Sequence, residues 1–210
     1  MPSKKQDTVV FAFARMNPPT VGHLKLISQV KAESRAYDNA PYRLVISRKH
    51  GKDDPLEPEH KLQYLESLFP DIDFTLADDE FPDIIAHLED LGRSFKNVII
   101  VCGSDRLAEF TLLAFKYNGV RYNFDSIQTV SCGERTVDGS ARKTSSASGT
   151  RARQFVRNGD LRNFFEIIPC TATDAYIVVE LYDDLRKAMG MGINTLIEEN
   201  AHAEKDKEEV

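Results

Sequence analysis

The chain has 210 residues, 41% of them hydrophobic and 29% charged, with 27 basic against 33 acidic side chains for a net charge of −6. That balance supports one generous domain with its own core and excludes a disulfide-stapled miniprotein, a disordered polyelectrolyte and a protein that coats nucleic acid along its whole surface. The three cysteines, Cys102, Cys132 and Cys170, form no C-x-x-C pair, and the longest apolar run, Val9 to Ala14, is six residues, so neither a zinc site nor a membrane span is expected and the cytoplasm is the expected compartment.

In chain order, Val9 to Ala14 is short, β-branched and aromatic, and predicts a strand. Pro18-Pro19 then leads into a helical stripe of Val21, Leu24, Ile27 and Val30. Tyr42 to Ile46 reads as the second strand, followed by a helix opened by Pro58 and carrying Leu62, Leu65, Leu68 and Phe69. Ile72 to Leu76 is the third strand, and a helix around Ile84, Ile85, Leu88 and Leu91 precedes the most strand-like run, Val98 to Val101. A helix through Leu107, Phe110, Leu113 and Ala114 and a fifth strand at Ser126 to Val130 complete the alternation.

Cys132 to Ser146 is polar and rich in Gly, Ser, Thr, Arg and Lys, a long loop in which a ligand is expected. Two short helices, Thr150 to Arg157 and Leu161 to Ile167, flank the Asn158-Gly159-Asp160 turn, and a longer one runs from about Ala175 to Met189. Near-continuous apolar strands alternating with helices point to an α/β fold: a Rossmann-like, doubly wound, mainly parallel five-stranded sheet with C-terminal helices. The expected organisation is an α/β domain over residues 1–168, a helical extension of it over 169–195 and an acidic tail over 196–210.

In such sheets ligands bind where strands turn into helices. The first such turn, after the first strand, contains Ala14, Arg15, Asn17, Thr20, Gly22 and His23. Thr20 and His23 are three residues apart at a helix start, so both face one side beside free backbone N–H groups, an arrangement suited to phosphate. Gly22 removes a side chain from that approach. At the start of the later helix, Ser148 is a candidate N-cap, Gly149 follows it, and Thr150 and Arg153 share a face, offering a hydroxyl and a guanidinium to phosphate oxygens. After the fourth strand, Gly103 allows close approach and Asp105 can accept from ribose hydroxyls. The loop from Ser47 to Leu56 is dense in cations, among them Arg48, Lys49 and Lys52. His50, His60 and His87 have no ligand-like spacing and are read as surface or helix-face residues.

The stretch Phe13 to His23 resembles the first signature of the nucleotidylyltransferase superfamily, in which a Gly-x-Phe-Asn/Asp-Pro turn runs into His/Thr-x-Gly-His; here the matching pieces are Asn17-Pro18 and Thr20-Val21-Gly22-His23. Ala14 stands where the family has glycine and Met16 where it has an aromatic. Ser148-Gly149-Thr150-Arg151-Ala152-Arg153 resembles the second signature, roughly Ile-Ser-x-Thr-x-x-Arg, with Ala147 in the aliphatic position. The resemblance covers about residues 8–168 and is strongest to small stand-alone adenylyltransferases, including those of large tailed phages, which would make the compartment the host cytoplasm.

The resemblance implies a transferase that moves a nucleoside monophosphate from ATP or CTP to a small phosphorylated acceptor and releases pyrophosphate. Nicotinamide mononucleotide with ATP, giving NAD, is the first choice. Pantetheine-phosphate adenylyl transfer and CTP-dependent cytidylyl transfer are the alternatives, and a non-catalytic nucleotide-binding regulatory module is the alternative of another class. His23, Thr20 and Arg153 would be catalytic. Ala14, Arg15, Asn17, Gly22, Gly103, Asp105, Ser148, Gly149 and Thr150 would bind nucleotide, and Arg48, Lys49 and Lys52 the acceptor.

Mg²⁺ is expected to arrive on nucleotide oxygens and water, with no protein ligands. Aminoacyl-tRNA synthetases share the first signature, and Lys143-Thr144-Ser145-Ser146 is similar to their lysine-serine loop, but this length leaves no room for an anticodon domain, so nucleic acid is not the expected partner. A homo-oligomer is compatible with the sequence. The charge is sorted: residues 135–162 hold seven bases against two acids, and residues 71–90 hold eight acids and no Lys or Arg.

Overall fold

The computed structural model of the protein describes residues 7–133, 147–171 and 174–192. Five strands, β1 (Thr8–Ala14), β2 (Tyr42–Ile46), β3 (Phe74–Leu76), β4 (Asn97–Cys102) and β5 (Ser126–Ser131), form one sheet in the order β3-β2-β1-β4-β5. Every pairing is parallel, with Val10 opposite Tyr42 on one side and Ile99 on the other. The helices are α1 (Val21–Ala36), α2 (Pro58–Leu68), α3 (Ile84–Gly92), α4 (Leu107–Tyr117), α5 (Gly149–Arg157), α6 (Leu161–Ile167) and α7 (Ala175–Ala188), and a single 3-10 turn, Ser104–Arg106, precedes α4.

The two central strands are apolar on both faces because both are covered. Val9, Phe11, Val98 and Ile100 pack under Leu88 and Leu91 of α3 and Phe110 and Ala114 of α4. Val10, Ala12, Ile99 and Val101 pack under Leu26, Ile27 and Val30 of α1 and Leu65 of α2. The alternation is the period of two of a strand, read on two buried faces at once. A third cluster joins Ala152 and Val156 of α5, Phe164 and Ile167 of α6, and Val178, Leu181, Tyr182 and Leu185 of α7.

Two expectations need correction here. Leu24 is 38% exposed and leaves the α1 stripe, whose buried members are Leu26, Ile27 and Val30; at 100° per residue, Leu24 points about 140° away from the mean direction of Leu26 and Val30. His87 is not a surface residue. It is 3% exposed, with its ring among Phe11, Phe13 and Phe81 at centroid distances of 6.2, 6.1 and 5.7 Å. The loop from 134 to 146, including Lys143 to Ser146, and the tail over 196–210 lie outside the described residues.

After β3 the chain recrosses the sheet to place β4 against β1, so the direction of winding reverses between those two strands. Helices leave opposite faces there, and the gap beyond the carboxyl ends of the strands opens into a crevice.

Candidate active site

A cavity of about 650 Å³ occupies that crevice. Ala14, Arg15, Asn17, Gly22 and His23 line it from the end of β1, and Gly103, Asp105, Arg106 and Phe110 from the end of β4. Ser148, Gly149, Thr150 and Arg153 line it from the start of α5, and Ser47, Arg48, Lys49 and Asp54 from the loop after β2. Residues separated by more than a hundred positions therefore face one space, within the volume range of small-molecule sites.

The two segments picked out in the sequence interlock. A Cβ on Gly22 would stand 2.3 Å from the Ala147 carbonyl oxygen, and one on Gly149 would stand 2.9 Å from the Asn17 carbonyl oxygen. Both glycines are needed because backbone meets backbone, and Gly22 makes room for the second segment of the protein as well as for a ligand. Arg153, 7% exposed, donates through Nη1 to the Asn17 carbonyl and through Nη2 to Thr150 Oγ1 at 3.2 Å, while its Nε has no partner. Ser148 caps α5 by accepting the Arg151 N–H at 3.2 Å.

His23 is held by the first turn of α1. Its Nδ1 accepts the Thr20 backbone N–H at 2.9 Å and lies 3.1 Å from Thr20 Oγ1, while the His23 N–H donates to the Thr20 carbonyl at 2.8 Å. A ring nitrogen that accepts an N–H bears no proton, so the ring carries its proton on Nε2 as a donor. Thr20 itself is fully buried and is not among the cavity-lining residues. Its hydroxyl sits beside the His23 ring in the turn that Thr20 starts, so the group it holds directly is His23. Asn17 lines the cavity but spends its side-chain amide on Leu56, donating to the carbonyl at 3.0 Å and accepting the N–H at 3.2 Å.

Arg48 and Lys49 face the cavity and Lys52 does not; the tight Gly51–Asp54 turn, closed by two backbone hydrogen bonds, carries Lys52 away. Arg48 is engaged with Glu59 at 2.6 Å. Asp105 lies in the 3-10 turn with its carboxylate folded towards Gly103, where a Cβ would meet Oδ1 at 2.5 Å. Burial pushes the Cys102 thiol, at the end of β4, up to about 11, which leaves it an unreactive wall group.

Two functional candidates escaped the sequence reading. Asp54 sits on the cavity floor with its side chain 3% exposed, and Lys61 lies behind it at 0% exposure, donating from Nζ to the Ser47 carbonyl at 2.6 Å. A signal for Lys61 was present: it precedes Leu65 by four residues, on the inward stripe of α2. Among the described residues no group of three or more His, Cys, Asp or Glu side chains could hold a metal ion, and no helix is long and apolar enough to cross a membrane.

No protein-family model and no curated protein matches the sequence. Solved structures do match the fold. A Vibrio parahaemolyticus protein described as a nicotinate-nucleotide adenylyltransferase is similar over 84% of this chain and 99% of its own, at TM-score 0.52 and 14% identity. The Plasmodium falciparum nicotinic acid mononucleotide adenylyltransferase is similar over 85% of this chain and 98% of its own, at TM-score 0.55 and 14% identity in complex with NaAD, and at 0.53 and 15% in complex with APC. At these identities the likeness is one of fold: this chain has the Rossmann-like α/β fold of those adenylyltransferases.

Proposed function

We propose that the protein is a nucleotidylyltransferase that transfers a nucleoside monophosphate, adenylyl as first choice, to a small phosphorylated acceptor. The observation that carries this reading is the interlocking of the two helix starts across one cavity, which puts an Nε2–H donor, a guanidinium and two helix N-termini around the same space. In the reaction an acceptor phosphate oxygen forms a bond to the α-phosphorus, the bond from that phosphorus to the bridging oxygen of the β-phosphate breaks, and pyrophosphate leaves.

No protein nucleophile is required. Two anions must be brought into line, so catalysis rests on positioning and charge neutralisation. His23 Nε2–H donates to the α-phosphate oxygens as negative charge builds there. Thr150 and the N-terminus of α5 hold the β- and γ-phosphates, and Arg153 fixes the Asn17 turn while adding its charge. Gly103 and Asp105 take the ribose. Arg48 and Lys49 face the acceptor. The cavity donors are hydroxyls, N–H groups and cations without an acidic cage, a set that suits Mg²⁺ carried in on nucleotide oxygens. When bound, Mg²⁺ would supply further charge neutralisation.

The pyridine mononucleotides come first as acceptors, nicotinate mononucleotide alongside nicotinamide mononucleotide, because the two similar adenylyltransferases are both named for the nicotinate form. Incubation of the protein with ATP or CTP and each of these acceptors, pantetheine phosphate and a polyol phosphate, scored for pyrophosphate and the dinucleotide product, tests the reading. Release with one acceptor supports it and names the substrate. A second reading, a nucleotide-binding module without chemistry, is favoured by Ala14 on the cavity wall and by Met16, buried at φ +46°. ATP binding with no pyrophosphate from any acceptor would select it.

A further inference from the structure

Asp54, Lys61 and Arg153 are 2%, 0% and 7% exposed and, with His87, make up the buried acidic and basic side chains among the described residues. Asp54 and Arg153 line the cavity, and Lys61 lies under the loop whose Ser47 also lines it. The Ser47 N–H donates to the Ala14 carbonyl at 2.9 Å, joining the end of β2 to the end of β1, and Lys61 donates to the Ser47 carbonyl, so the ammonium ties α2 to that junction. Asp54 closes the Gly51–Asp54 turn and brings Oδ2 to 3.5 Å from Nη1 of the half-exposed Arg15. Burial pushes the Lys61 ammonium down to about 8 and also lowers Arg153, and for each Asp54 is the foremost charge opposing that shift. Asp54 is the carboxylate common to the three cations, with Asp53 a lesser neighbour of Arg153 and Glu59 of Lys61, and Arg15 and Arg153 face the space proposed for phosphates.

We propose that Asp54 and Lys61 are a buried positioning pair that sets the anion affinity of the cavity: Asp54 is an internal counter-anion that restrains Arg15 and Arg153, and Lys61 offsets Asp54. This rests on the nucleotide reading above. A transferase must release pyrophosphate after each turnover, and an unopposed cluster of cations would retain it. The carboxylate keeps the site attractive to phosphate without making it a trap, and the cation behind it keeps the carboxylate from cancelling the site altogether.

The test measures ATP and pyrophosphate dissociation constants, with Mg²⁺ present, alongside turnover in the full chain. Asp54→Asn should tighten pyrophosphate binding and lower kcat, and Lys61→Met should weaken binding, each by about tenfold. The double variant should return to within about threefold of the unaltered protein, since opposite charge effects cancel. Asp54→Ser and Lys61→Leu make the same charge changes if either first variant fails to melt cooperatively. A purely structural role would weaken binding in both single variants; that result, or no change in either, overturns the inference while leaving the nucleotide reading intact. If the unaltered protein binds neither ATP nor pyrophosphate, the nucleotide reading fails and the inference falls with it.

Discussion

Gly22 lies so close to Ala147 that a methyl group on the first would sit 2.3 Å from the carbonyl oxygen of the second. The neighbour is backbone, which cannot swing aside as a side-chain tip would. Gly22→Ala is therefore expected to destabilise the fold by about 1–3 kcal/mol, the range for overpacking, and to weaken ATP binding by parting the two helix starts. Chemical denaturation and an ATP titration of the same variant check both outcomes.

His23→Ala removes the Nε2–H donor. Turnover should fall by about 10²–10³-fold, as for loss of one preorganised donor to a developing anion, with a much smaller change in the ATP dissociation constant. Thr20→Val keeps the backbone N–H that holds the ring and deletes only the hydroxyl 3.1 Å from Nδ1. It should cost turnover about tenfold and leave ATP affinity unchanged. A loss of affinity instead would return Thr20 to direct phosphate contact.

His87 makes stability pH-dependent. Neither ring nitrogen has a hydrogen-bond partner, and burial first, then the charge of Arg43, lower its pKa from the usual 6.5. The unfolded chain then binds the proton more readily than the folded one. Stability is full above about pH 6.5 and is lost as pH falls from there through the folded value, by at most about 1.4 kcal/mol per pH unit from this group. His87→Leu should flatten that limb in denaturation curves taken between pH 7 and 5.

Tyr64 on α2 donates to Asp184 on α7 at 2.7 Å, and burial pushes its phenol up. Tyr64→Phe should cost about 1–2 kcal/mol. Hydrogen exchange should rise first along α7, which α2 then holds only by apolar contact.

The strands were readable because burial on both faces leaves runs such as Val98 to Val101 with almost no polar residue, and the cavity-facing helix starts were readable because Thr-x-Gly-His and Ser-Gly-Thr-x-x-Arg are local patterns. The interlocking was not. Nothing near Gly22 in the sequence indicates that its close neighbour is the carbonyl of Ala147. Lys61 and Asp54 were passed over for a related reason: a charged residue in a charged loop or on a helix reads as solvated, and only the packing of α2 against the 47–56 loop removes the water. His87 was misread likewise, because Phe11, Phe13 and Phe81 come from three separate segments.

Arg153 reaches the Asn17 carbonyl across 136 positions of the chain. The binding cavity is thus owned by no fragment: a growing polypeptide that has made β1 through β5 still lacks the segment that closes it. A nucleotide bound there, as proposed, would select only molecules folded through α5, and would stabilise the domain by mass action. Occupancy of this cavity by ATP would serve as a direct measure of how much of a preparation is completely folded.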